Sequence, residues 1–300
     1  MRLTDKGFDT LANVSGQWRR VPWADPLSAT YEKRPDGAFF VSAFPSRPVS
    51  PYDSVSPLNP RTITARMIEF GHLTHVGLRR ELNEDTYYGD SELGLWLVAD
   101  GMGGHEYGEV ASALAREAIV REVRAGNTLA EAIRTADEEI IRCSKRRGDS
   151  LPMGTTVVAA RVNGNRFEVA WVGDSRVYLW RDGALTQISQ DHSYVQELIA
   201  QGAITADQAR SHPHRNVVTQ ALGVTDPLQL NVETLGGELR PGMQLLLCSD
   251  GLTEEVDDRS IARVLAHQEC SAQECVDGLV AAALDGGGSD NVTVVLVRSH

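Results

Sequence analysis

The apolar positions of this chain fall into two periodicities. Short unbroken runs come first. LWLVA (95–99), TTVVAARV (155–162), FEVAWVGD (167–174), RVYLW (176–180), QLLLCSD (244–250) and NVTVVLVRS (291–299) are bounded by Gly, Asp or Ser. Their length and β-branched content predict strands that run through a dry interior. The second periodicity is helical. Val110/Ala111, Leu114/Ala115, Ala118/Ile119 and Val123 mark one face of a helix. A second helix opens on Thr128 and Glu131, a capping-box pair, and continues through Leu129, Ile133, Ala136 and Ile140. A polar stretch over 192–210 also reads as helical, and further helices are expected near 257–266 and 271–284. Strands in blocks with helices paired between them predict α+β layers, not a regular βαβ alternation.

The first 60 residues break this pattern. They hold eight of the twelve prolines, and FPSRPVSPYDSVSPLNPR (44–61) has no periodicity and reads as a linker. Trp18, Trp23, Phe39 and Phe40 argue for some local order there, such as a short hairpin. The expected division is an N-terminal extension over 1–65 and a compact domain over 66–300.

Composition narrows the function classes. Acids outnumber Lys and Arg 41 to 29, a formal charge of −12 with no basic cluster, which disfavours nucleic acid and anionic lipid as partners. No run of about 18 apolar residues predicts a membrane span. The N-terminus has no apolar leader core, and the four cysteines form no CxxC pair. A cytoplasmic location is expected, with Cys248 an inert core thiol.

The chemistry gathers at strand ends. Residues 93–112, LGLWLVADGMGGHEYGEVAS, carry a dry strand straight into Asp100 and then into glycines. Asp174 and Asp250 end two further strands, and Asp290 precedes the last. Any one of them is ordinary turn chemistry. Together, on antiparallel neighbours, they can converge at one sheet edge, where carboxylates repel unless a cation lies between them. Oxygen-only ligands select a hard ion, Mg²⁺ or Mn²⁺. Arg80, in GLRRELNED (77–85), is either a fork for phosphate or a surface partner of Glu81 or Glu84. His105 follows the glycine loop and is either structural or a proton donor. The glycines match neither GxxxxGK[ST] nor GxGxxG, which disfavours a nucleotide cradle.

These segments, with GTT (154–156), VGDSRVYLW (172–180), DHS (191–193), HPHRNVVTQALG (212–223), CSDGLTEEV (248–256) and GGGSDNVTVVLV (286–297), occur in the order found in the PP2C-type metal-dependent protein phosphatases. Over roughly 68–298 the chain resembles the bacterial serine/threonine members. The resemblance implies an αββα sandwich and a binuclear Mn²⁺/Mg²⁺ centre. It implies that Asp100 bridges both ions, that the Gly101 carbonyl binds one, and that Asp250 and Asp290 complete the centre. Glu84 and Asp85 match acidic positions used directly or through water, and Asp174 a ligand of a third, weaker ion. Arg80 matches the phosphate-binding arginine and His105 the proposed proton donor. Residues 192–215 match a flap beside the site. His75 stands where the family often has Asp, and Tyr107 where it usually has a small residue.

The implied reaction is in-line attack of a metal-activated water on phosphoserine or phosphothreonine, opposing a serine/threonine kinase, with no essential cysteine. Two other readings share the fold: a silent binding module, which would have lost carboxylates, and a hydrolase of small phosphomonoesters. The extension over 1–65 would tether the enzyme to a partner or mask the flap.

Overall fold

In the computed structural model the described residues are 68–103, 107–147 and 153–300, with four short strands before them. The chain divides into two units, Met1–Ile63 and Thr64–His300. In the first, β1 (Thr10–Val14) pairs antiparallel with β2 (Gln17–Val21), and β3 (Glu32–Lys33) with β4 (Phe39–Phe40). The linker expected at 44–61 lies outside the described residues.

The second unit begins with β5 (Ile68–His75), β6 (Thr86–Asp90), β7 (Leu95–Ala99) and the two-residue β8 (Gly101–Met102). The helices α1 (Tyr107–Arg124) and α2 (Leu129–Arg147) follow. Next come β9 (Gly154–Thr155), β10 (Val157–Asn163), β11 (Arg166–Val172), β12 (Arg176–Arg181) and β13 (Ala184–Gln187). The polar stretch expected as one helix is two short ones, α3 (Tyr194–Ala200) and α4 (Ala206–Arg210). Gly202, with φ of +70°, turns the chain out of the first, and Thr205 caps the second. The remainder is β14 (Glu233–Glu238), β15 (Gln244–Cys248), α5 (Asp250–Thr253), α6 (Asp258–Leu265), α7 (Ala272–Gly286) and β16 (Val292–Ser299).

The long strands form two antiparallel sheets, ordered β14-β11-β10-β7-β6 and β13-β12-β15-β16-β5. Three apolar layers hold them. Alternate residues of each strand face opposite ways, so β7 sends Trp96 and Val98 into the layer between the sheets. Val158, Trp171, Val177, Leu247 and Val295 meet them there. The other face of β7 sends Leu95, Leu97 and Ala99 against α1 and α2, with Ala115, Ile119 and Ile133 opposite. On the second sheet, Leu246, Val294 and Leu296 face Ile261, Val276 and Leu279 of α6 and α7. This is the αββα sandwich, and it explains why the central strands are apolar without interruption: both faces are dry.

Local signals place the helices. Thr128 and Glu131 exchange backbone and side-chain hydrogen bonds at the start of α2, as the capping-box pair predicts. Ser271 and Glu274 do the same for α7. No helix among the described residues is long and apolar enough to cross a membrane.

Leu97 is fully buried on the helix side of β7. Leu97→Ala is expected to cost about 3 kcal/mol of unfolding free energy, read from urea denaturation; a loss under about 1 kcal/mol would show that this layer repacks freely.

Candidate metal and phosphate site

At one end of the sandwich the strands stop together, and the polar residues that follow them interlock. Asp100 leaves β7 with its backbone held by the other half of the β8–β9 ladder. Its carbonyl accepts from Thr156 N–H and from Thr155 Oγ1, each at 2.8 Å. Gly101 N–H donates to the Glu84 carbonyl at 3.2 Å. A Cβ on Gly101 would collide with the carbonyl of Gly108 and crowd that of Glu84. The glycine is therefore required by the close approach of α1's first turn. Glu84 fills the space between: its Oε1 accepts from Gly108 N–H, and its carbonyl accepts from Ser112 Oγ at 2.6 Å.

Asp85 is buried, and its Oδ2 accepts from Ser249 Oγ at 2.8 Å. That serine is in turn held by Thr293, whose N–H donates to Ser249 Oγ at 3.0 Å. Asp250 opens the single-turn helix α5, immediately after β15. Asp290 sits just before β16, and its Oδ2 accepts from Arg80 Nη2 at 2.6 Å. Arg80 thus pairs with neither Glu81 nor Glu84. Asp174 lies in the bend between β11 and β12, 9% exposed.

The electrostatics of this group are unfavourable by design of the sheet ends. Burial, then repulsion from Asp85, Asp250, Asp174 and Asp290, pushes the Asp100 carboxyl well above the usual range. Asp250 is raised in the same way, by burial and by Asp174, Glu254 and Asp290. Burial raises Asp85 to about 6 against the hydrogen bonds from Thr293 and Ser249. Burial and Asp191 raise Asp174 to about 7. Burial also raises Glu84. Asp85 Oδ1 and Asp250 Oδ1 are buried with no hydrogen-bond partner. Two unit charges about 4 Å apart repel by ~4 kcal/mol at an effective dielectric of about 20. Oxygens left bare in such a field fit a hard divalent cation, which replaces the missing hydrogen bonds and cancels the repulsion. Among the described residues no three His, Cys, Asp or Glu side chains form a ready-made cage for one ion.

Sequence reasoning overlooked the residues that aim the carboxylates. Asn291 is the main one. Its Nδ2 donates to the carbonyls of Val76 and Leu82, both at 2.9 Å, and its Oδ1 accepts from Glu84 N–H at 2.8 Å. It fastens the Arg80 loop and the Glu84–Asp85 segment to β16. The signal was an amide directly after Asp290 in GGGSDN, a segment singled out for its aspartate alone. Arg176 was also missed. It grips Asp191 through Nε and Nη2, the shortest contact being 2.7 Å, beside Asp174. His75, at a position where Asp was the commoner expectation, accepts from Gly77 N–H at 2.9 Å and tightens the turn into the Arg80 loop. Tyr107 opens α1 and packs on the helix-side core. His105 lies outside the described residues.

A cavity of about 410 Å³ adjoins Asp174 and Asp250 and runs beside α3 and α4, with Asp191, Arg215 and Glu254 in its wall. A larger concavity, about 640 Å³, lies at the Gly236–Gly237 edge of β14 and contains none of the strand-tip aspartates.

Known proteins share the sequence and the fold of the second unit. The family model described as protein phosphatase 2C matches residues 78–284. The serine/threonine protein phosphatase PstP of Mycobacterium tuberculosis is 41% identical over 229 residues, covering 73% of this chain and 43% of that protein. The chain therefore spans less than half the length of that relative. The serine/threonine phosphatase stp of Listeria monocytogenes is 35% identical over 238 residues, covering 75% of this chain and 93% of the relative. The solved catalytic domain of a serine/threonine phosphatase PstP, in complex with two manganese ions, superposes with a TM-score of 0.70 at 36% identity, over 78% of this chain and 99% of that one.

The raised carboxyls carry a pH prediction. Folded Asp85 and Asp174 hold protons up to about 6 and about 7, whereas unfolded aspartates lose theirs near pH 4. Between those limits the folded, metal-free chain binds more protons than the unfolded one, so stability falls as pH rises through the window. In EDTA the melting temperature is expected to be several degrees higher at pH 5 than at pH 8. Mg²⁺ or Mn²⁺ should recover the loss at pH 8. A profile that is flat in EDTA contradicts this account.

Proposed function

The chain belongs to the protein phosphatase 2C family, and from that premise we propose that it hydrolyses phosphoserine and phosphothreonine in proteins with the help of bound divalent metal ions. The observation that carries this reading is the group of buried carboxylates with unpartnered oxygens at Asp85 and Asp250, beside the cation Arg80. A binding module would gain nothing by keeping Asp85, Asp100, Asp174, Asp250 and Asp290 against their mutual repulsion.

In this proposal Asp100, the Gly101 carbonyl, Asp250 and Asp290 hold two ions, Mn²⁺ or Mg²⁺. Glu84 and Asp85 contribute directly or through water, and Asp174 serves a third, weaker ion. When bound, the ions supply Lewis acidity toward phosphoryl oxygens and make water a stronger nucleophile at neutral pH. The chain's own residues do the rest. The stiff strand ends keep the carboxylates in place, so little reorganisation is needed during reaction. Arg80, whose side chain is 50% exposed, presents its guanidinium toward solvent while Asp290 holds one edge of it. The free donors suit two phosphoryl oxygens. The departing serine or threonine oxygen needs a proton, and His105 is assigned to supply it.

No covalent intermediate is required. Burial pushes the Cys248 thiol up to about 12, which leaves it without nucleophilic thiolate at neutral pH. The substrates proposed are the phosphorylated targets of a cognate serine/threonine kinase, in the cytoplasm. Residues 66–300 are proposed as the catalytic domain and residues 1–65 as an appended tether.

Hydrolysis of a phosphothreonine peptide in Mn²⁺ tests the reaction. EDTA is expected to abolish it, and Asp250→Asn to lower kcat by about 100-fold or more. Alkylation of cysteines should leave it intact. Absence of turnover in Mn²⁺ and in Mg²⁺ from folded protein would refute the proposal. Deletion of residues 1–64 should leave kcat/KM on the free peptide unchanged, and a rise would instead indicate masking.

A further inference from the structure

The loop that carries Arg80 displays two large apolar side chains to solvent, although Leu78 also lies over Gly288. Leu78 is 63% exposed and Leu82 46% exposed, two positions before and two after the arginine. The loop holds them there because both its ends are fastened. Leu78 N–H donates to the Gly288 carbonyl at 2.7 Å, and the Leu82 carbonyl accepts from Asn291 Nδ2 at 2.9 Å. Between these points Arg80 meets Asp290 at 2.6 Å. A Cβ on Gly77, whose φ is +80°, would collide with the Asp290 carbonyl, so the loop lies directly on the segment 288–291. The loop has no slack with which to fold its leucines inward.

Exposure alone does not single these residues out, since Leu228 is 96% exposed in a turn far along the chain. What distinguishes Leu78 and Leu82 is that they flank a guanidinium poised for phosphate. We propose that they form a specificity platform for an apolar side chain adjoining the phosphorylated residue of the substrate protein. This inference rests on the phosphatase reading above. An extended peptide advances about 3.3 Å per residue. In this proposal a peptide with its phosphate on Arg80 seats its immediate neighbours on the side chains two loop positions to either side of the arginine. Burying apolar surface there favours the peptide. A polar neighbour gains nothing and leaves both leucines wet. Small phosphate esters are too short to touch the platform, so they bind by the phosphate alone.

The test compares three substrates with Mn²⁺: p-nitrophenyl phosphate, a phosphothreonine peptide with leucines on both sides of the phosphothreonine, and the same peptide with serines there. The wild-type chain is expected to favour the leucine peptide by on the order of tenfold in kcat/KM, through KM. The double variant Leu78→Ser, Leu82→Ser should lose that preference while keeping kcat on p-nitrophenyl phosphate and the melting temperature. Equal turnover of both peptides by the wild type, or a preference that survives in the variant, overturns the platform while the phosphatase reading stands. Hydrolysis of none of the three by the wild type overturns the phosphatase reading and the platform with it.

Discussion

Repulsion among buried carboxylates is the constraint on which the rest of the site depends. Burial and their neighbours raise the carboxyls of Asp85, Asp100, Asp174 and Asp250 together. Left to relax, such side chains would swing toward water or spread apart. They stay because each is carried by a backbone that cannot move. Asp100 follows a strand whose five residues are all buried, and Asp250 follows another. The apolar layers on both faces of these strands hold their ends in register, and that rigidity is what the charged site draws on.

A second layer of polar residues converts strand-end position into side-chain aim. Ser249 and Thr293 fix one oxygen of Asp85 and leave the other bare. Asn291 ties three backbone groups of the 76–84 segment to the start of β16. Arg80 is thereby held against Asp290 from a loop that would otherwise have no fixed place. Arg80 and Asp290 stand 210 residues apart in sequence, yet one amide side chain fastens the arginine's loop to the segment that carries the aspartate. The same fastening explains the outward leucines: a loop held at both ends for the sake of its arginine also fixes what lies beside that arginine.

The cysteines and the helices take the opposite role. Cys248 is an apolar member of the second helix-side core, and α1, α2, α6 and α7 close the outer faces of the sheets. They contribute stability, not chemistry. Of these four, only α1 reaches the site, where Gly108 N–H meets Glu84; the single-turn α5 begins on Asp250 itself.

Much of this was legible in the chain before folding. The central strands declared themselves because burial on both faces demands unbroken apolar runs, and the helices because caps and a 3.6-residue period are local signals. The strand-tip aspartates were visible for a related reason: a charge at the border of a dry run is conspicuous, after it at Asp100, Asp174 and Asp250 and before it at Asp290. The strands that escaped notice, β5, β6, β13 and β14, lie at or near sheet edges and are half-exposed, so their mixed polarity resembles loop. The pairing of Arg80 with Asp290, the hold of Asn291 and the bare oxygens of Asp85 and Asp250 had no signature in sequence. Each joins residues distant in the chain, and only the packing of two sheets decides which strand ends meet. Sequence alone determined which residues could carry charge to the end of a rigid strand. The tertiary structure decided that they face one another, because repulsion between side chains exists only once the fold has brought them together.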